Sequence, residues 1–223
     1  MKKILIIVSH PDDEILGCGG TIYKHVSKKD KVYVYFTHEG SSGRFTDLNN
    51  PKILIEIKKR KDIAKNLAKK FKYKIIGFAD NQNLYPNQVD VLKNVKKIIE
   101  IINLIKPDIV YTHFNNDMHA DHNLTHDMVI TACRPANFFI KEIYLMEIPS
   151  STNWKHDNIF SPNLFININI NQKLKQMKYY KSEFHKDPHP TSINNIKALA
   201  MYRGSQVGFN FAESFMVYKK IIS

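Results

Sequence analysis

Ile4-Leu5-Ile6-Ile7-Val8-Ser9-His10-Pro11-Asp12-Asp13-Glu14 is the stretch on which the fold of this chain turns. Five consecutive apolar residues, four of them β-branched, suit a strand covered on both faces. Ligands in open α/β sheets bind beyond the carboxyl ends of such strands. Here that end delivers a histidine and adjacent carboxylates to one point. Gly17-Cys18-Gly19-Gly20 follow inside the expected next helix, where small residues allow close packing on the sheet.

Outward from this stretch the chain alternates. Residues 3–9 read as a strand, 14–29 as a helix, 31–37 as a second strand, 51–70 as a helix and 72–79 as a third strand. A helix over 87–105 carries Val91, Val95, Ile98, Ile99 and Ile102 on one face, and 107–113 reads as a fourth strand. Repeated βα units predict an α/β domain with a largely parallel sheet, helices on both faces and right-handed crossovers. Further strands are expected at 142–148 and 164–170, and helices at 171–185 and 192–202. The polar connection 38–50 is long for a compact domain, and such loops tend to carry function. At 223 residues and 43% hydrophobic content the chain is expected to form a single domain, 1–223.

Composition excludes several classes of partner. The formal net charge is +12, yet 29 of the 33 basic residues are lysine, scattered over helix surfaces as in Lys58-Lys59-Arg60-Lys61. Arginine is the preferred reader of base edges and phosphates, and no basic stripe is interleaved with aromatics, so no nucleic-acid partner is expected. A positive field would instead favour an anionic small substrate. No apolar run approaches a membrane span, and two distant cysteines, Cys18 and Cys133, suit reduced thiols in a cytoplasmic protein.

A second polar cluster follows the fourth strand, in Asn115-Asn116-Asp117-Met118-His119-Ala120-Asp121-His122. Taken alone it fits a helix start capped by Asp121 or a ligand loop. Paired with His10-Pro11-Asp12-Asp13-Glu14 at another strand end, it fits a catalytic metal set of two histidines and a carboxylate, with positions left open for water and substrate. The pattern points to a metal-dependent hydrolase.

These two motifs together resemble the LmbE-like (PIG-L) family of zinc-dependent N-acetylglucosamine deacetylases. The resemblance extends to Arg60, to Gly77-Phe78-Ala79-Asp80, and to Arg203-Gly204-Ser205-Gln206-Val207-Gly208 with Ala212-Glu213-Ser214-Phe215. It implies a Rossmann-like fold and removal of an N-acetyl group from an amino sugar. By resemblance His10, Asp13 and His122 hold Zn2+, with Fe2+ acceptable to the same donors. Asp12 is then the general base toward a metal-activated water, and His119 the partner of the oxyanion and the departing amine. Asp121 either orients an imidazole or caps the helix over 122–133.

Arg60 and Asp80 correspond to sugar-contacting residues, or else to a surface ion pair and a turn. Arg44 belongs to the possible substrate loop. His189, stiffened by Pro188 and Pro190, reaches the site or lies in a surface turn. The expected substrate is a phosphorylated or nucleotide-linked N-acetyl sugar, with another amide such as a thiol-glycoside conjugate as the alternative, and homo-oligomers are common among relatives.

Rival readings find less support. Gly17-x-Gly19-Gly20 lacks the third glycine of a dinucleotide fingerprint, where Ile22 stands. A non-haem iron oxygenase shares the donor set but normally uses a β-barrel. A non-catalytic sugar-binding module has no need of Asp12 beside a metal ligand.

Overall fold

The computed structural model describes residues 1–79, 88–134 and 139–222. Among these residues one seven-stranded sheet runs in the order β3-β2-β1-β4-β5-β7-β6. Its strands are β1 (Lys3–Val8), β2 (Lys31–Phe36), β3 (Lys74–Phe78), β4 (Ile109–His113), β5 (Glu142–Met146), β6 (Leu164–Asn167) and β7 (Ala212–Lys220). The first five are parallel, with Ile4 opposite Val32 on one side and Ile109 on the other. The helices are α1 (Asp13–Ser27), α2 (Lys52–Phe71), α3 (Gln88–Ile105), α4 (Ala120–Ala132), α5 (Ile170–Met177) and α6 (Ile193–Ser205).

Alternate residues of β1 feed two cores. Ile4, Ile6 and Val8 pack with α1, α2, α5 and α6 through residues such as Ile15, Leu67, Met177 and Ile196. Leu5 and Ile7 pack with α3 and α4 through Ile98, Ile102, Met128 and Val129. Burial on both faces explains why β1 is apolar at every position. Gly17 is required by this packing, because a Cβ there would lie 2.2 Å from Met146 Sδ of β5. Both cysteines are buried and free. No helix among the described residues is long and apolar enough to cross a membrane.

The C-terminal third departs from the sequence-based expectation. β7 was not anticipated; it lies between β5 and β6 and pairs antiparallel with both. The helix expected over 171–185 stops at Met177, and a short helical turn follows at Lys181–Glu183. The early stop allows Tyr180 to turn inward, where its hydroxyl donates to Glu14 Oε1 at 2.6 Å.

Strands β2 and β3 extend from one side of β1 while β4 and β5 lead away on the other. The order therefore reverses between β1 and β4, and loops beyond that point diverge to leave a crevice. Both polar clusters of the sequence leave the sheet there.

Candidate active site

The β1–α1 connection is built around a strained residue. Asp12 has φ 142° and ψ −29°, in a half of conformational space that side-chain-bearing residues rarely enter. Its backbone N–H donates to Glu14 Oε2 at 2.9 Å, and its carbonyl accepts from Ile15 and Leu16 at 2.9 Å. The turn places Asp12 and Asp13 on divergent paths. Asp13 points inward and accepts the His10 backbone N–H at 2.8 Å, while Asp12 faces the cleft.

Asp13 Oδ2 is the hub of the cluster. His10 Nδ1 lies 3.3 Å away and His122 Nε2 3.4 Å away. The other nitrogen of each imidazole is held by a further carboxylate: His10 Nε2 by Asp121 Oδ2 at 2.9 Å and His122 Nδ1 by Asp117 Oδ1 at 3.2 Å. Donor atoms of His10, Asp13 and His122 converge within 4.8 Å. Two imidazoles and one carboxylate, each imidazole backed by a carboxylate, are the donor set and outer partners of a catalytic divalent metal. The residues present fit such an ion.

His113 also approaches Asp13 Oδ2, at 3.5 Å. Its Nε2, however, accepts the Ser9 backbone N–H at 2.9 Å, so that lone pair is already used. Its ring stacks on His122 with centroids 4.0 Å apart and fixes the plane of that imidazole. His38 stands behind Asp121, 4.0 Å from Oδ1, and contacts the Thr37 hydroxyl through Nδ1 at 2.9 Å.

Electrostatics separate the roles further. Burial opposes charge on His122, but the Asp13 and Asp117 carboxylates outweigh it and hold its pKa at about 10. The Asp13 and Asp117 carboxylates that favour a charged His122 are also what would favour a cation at this point. Burial pushes Asp12 up to about 7 although the Arg60 guanidinium pulls it down. Burial, with His10 and His122 nearby, lowers His119.

Asp121 does not cap α4. The N-cap is His119, whose Nδ1 accepts the Asp121 N–H at 3.3 Å. Because Nδ1 accepts, the hydrogen of the neutral ring is on Nε2, leaving a donor on the exposed side. The ring lies 4.8 Å from His10 and 4.7 Å from His122, centroid to centroid.

These groups border a cleft of about 380 Å³, within the range of small-ligand sites. Arg44, Arg60 and His189, which the sequence offered as substrate contacts, all line it, together with Glu183, which the sequence did not single out. Arg60 is not a surface residue. Its buried guanidinium donates to Gly40 O at 2.5 Å and Pro11 O at 2.9 Å, and lies 3.0 Å from Asp12 Oδ2. Gly40 has φ +70°, and a Cβ there would meet Arg60 Nη1 and His10 Cδ2 at 2.7 Å, so the arginine contact requires glycine. His189 accepts the Thr191 N–H through Nδ1 at 3.2 Å and packs against His185, the two rings tilted with centroids 4.0 Å apart. Asp80 lies outside the described residues.

The PIG-L family profile, described as GlcNAc-PI de-N-acetylase, matches residues 5–133 and so takes in both polar clusters. The chain belongs to the PIG-L family. Among its relatives is a diacetylchitobiose deacetylase of Thermococcus kodakarensis, 29% identical over 96% of this chain and 82% of that protein. An uncharacterized deacetylase of Escherichia coli is 30% identical over 81% of this chain and 91% of its own length.

Solved structures agree on the PIG-L fold. The N,N'-diacetylchitobiose deacetylase of Pyrococcus horikoshii superposes with a TM-score of 0.73 at 21% identity, covering 98% of this chain and 84% of that one. GalB, the 4-carboxy-2-hydroxymuconate hydratase of Pseudomonas putida, superposes with a TM-score of 0.79 at 15% identity, covering 100% and 98%. A hydratase on the same scaffold means that the chemistry has to be argued from the side chains in the cleft.

Proposed function

We propose that this PIG-L family member hydrolyses the N-acetyl group of an amino sugar, releasing acetate and the free amine. The observation that carries the reading is Asp13 Oδ2 poised between His10 Nδ1 and His122 Nε2, beside an Asp12 carboxylate aimed into the same cleft. His10, Asp13 and His122 would hold a divalent metal, Zn2+ in our reading, with Fe2+ suited to the same donors. Such an ion supplies Lewis acidity toward a carbonyl oxygen and makes water a stronger acid.

The remaining steps belong to the protein. Asp12 is the general base: its carboxylate takes a proton from the water that adds to the acetyl carbon. A pKa near neutrality suits that task, since the group is ionised in a useful fraction and still basic. A neighbour that served as both ligand and base would lose basicity to the cation, which favours the division between Asp13 and Asp12.

His119 presents Nε2–H to the cleft. It hydrogen-bonds the developing oxyanion, and the proton that Asp12 took from the water passes to the nitrogen as the C–N bond breaks, giving the free amine and acetic acid, which ionises to acetate. Asp121 and Asp117 hold His10 and His122 in ligating orientation. Arg60, with both Nη groups engaged by protein oxygens, positions Asp12 and the β1–α1 turn. His189 and Arg44 form the far wall of the cleft, where the sugar ring would lie, and Asp80 is retained as a sugar contact on the family resemblance alone.

Acetate release by the zinc-loaded protein from a panel of N-acetyl amino sugars tests this, with Asp12→Asn as control. Turnover of at least one member that disappears in the variant is expected. Metal bound with no acetate released from any member would overturn the reading.

A further inference from the structure

A row of alternating charge crosses the cleft. Asp12 Oδ2 lies 3.0 Å from Arg60 Nη2, Arg60 Nε 3.7 Å from Glu183 Oε1, and Glu183 Oε2 2.5 Å from Arg44 Nη2. Arg60 is sealed in by two backbone carbonyls and has no freedom to meet a ligand. Arg44 is different: 47% of its side chain is exposed, on the cleft wall, and its charge is answered by a Glu183 side chain only 13% exposed.

The Glu183 backbone is held independently of Arg44, and its carboxylate has a second partner in Ser182. Glu183 N–H donates to Tyr180 O at 2.9 Å, Ser182 Oγ to Glu183 Oε1 at 2.9 Å, and Thr191 Oγ1 to Glu183 O at 3.3 Å. Among the described residues no lysine lines the cleft. Residues 80–87 and 135–138 contain neither lysine nor arginine. The formal charge of +12 is therefore not expressed where the substrate would sit. Composition alone favoured an anionic substrate, whereas the local arrangement of charge favours a neutral one.

We propose that Glu183 acts as a charge gate: by pairing with Arg44 and Arg60 it leaves the cleft without an uncompensated cation, and so sets the site for neutral N-acetyl saccharides over phosphorylated or nucleotide-linked ones. The proposal rests on the deacetylase reading above and names its substrate class. A phosphate could recruit Arg44 only by breaking a charge-assisted hydrogen bond. It would then face the Glu183 carboxylate at close range, a repulsive element of the kind that selects against a wrong ligand.

Two ligands of similar size and different charge, methyl N-acetylglucosaminide and N-acetylglucosamine 1-phosphate, test the gate. Michaelis constants are measured at low ionic strength from acetate release, for wild type, Glu183→Gln and the Glu183→Gln/Arg44→Gln pair. NMR titration of the metal-free proteins with the same sugars reads binding without turnover. The wild type should favour the neutral glycoside. Glu183→Gln should lower the phosphate-to-neutral KM ratio by about fivefold or more, salt should erode that gain, and the second substitution should abolish it. A wild type that favours the phosphate, or a ratio unmoved by Glu183→Gln, overturns the gate. If no acetate is released but the titrations show the same shift in preference, the gate stands and the deacetylase reading falls. No binding and no turnover of either sugar overturns both.

Discussion

Two clusters of buried charge flank α1, and they are built on opposite plans. Against the middle of the helix, Arg203 meets Glu147 through two hydrogen bonds of 2.8 and 2.7 Å, and Lys173 meets Glu213 at 2.6 Å. The spare capacity is also filled: Glu213 accepts the N–H groups of Gly20 and Thr21, Lys173 donates to Leu16 O, and Ser214 donates to Glu147. The cavity among them is about 20 Å³, room for little more than a water.

At the N-terminal end of the helix, Asp12, Asp13, Asp117 and Asp121 share one guanidinium and a set of imidazoles, beside about 380 Å³ of open cleft. Matched charge in a filled space is a structural clamp. A surplus of carboxylate around open space suits a cation and the chemistry proposed for it.

Substitution at each cluster should separate the two plans. The largest effect is expected from Asp12→Asn, which should reduce acetate release by about 10²–10⁴-fold while metal content by elemental analysis stays at the wild-type level. Equal loss of metal would place Asp12 among the ligands. At the clamp, Arg203→Met strands Glu147 and should cost about 3–5 kcal/mol of stability in urea unfolding. Turnover by the folded fraction should change far less, and a collapse of activity at unchanged stability would erase the contrast.

Metal uptake should depend on pH, because ligands must shed protons first. With His122 held at about 10 in the metal-free protein, uptake at neutral pH releases a proton. Affinity measured by chelator competition should therefore rise by up to about tenfold per pH unit between about 6 and 9. His122→Ala should weaken binding and flatten that slope, whereas a pH-independent affinity in the wild type would contradict the arrangement.

The smallest effect is expected at Arg60. Its guanidinium favours the ionised form of Asp12, so Arg60→Gln should displace the acid limb of kcat/KM to higher pH by about one unit. An unmoved limb would mean that Arg60 serves the turn alone.

Much of this was legible in the sequence where one residue type meets one physical demand. An apolar run with no polar interruption, Ile4 to Val8, suits a strand buried on both faces, and the βα alternation from residue 3 to 113 argues for a largely parallel sheet. β7 escaped notice because Ala212–Lys220 starts with a buried glutamate and ends in lysines, blurring the period-2 pattern; Glu213 is there for the clamp. The preference of aspartate for N-caps pointed to Asp121, whereas His119 occupies that place and frees Asp121 for His10. Asp117 stood within the second motif without a signal to set it apart from loop polarity. Glu183 was beyond reach of any local pattern, since its partners Arg44 and Arg60 are more than a hundred residues away.

The backbone of Asp12 also bears on how this enzyme could be altered. Residue 12 occupies a conformation that glycine adopts with less strain than aspartate, so a glycine here would relax the turn while leaving the buried Arg60 guanidinium without its carboxylate. Selection for thermal resilience weighs these two opposing effects, whereas selection for turnover would, on the role proposed for Asp12, hold the aspartate in place.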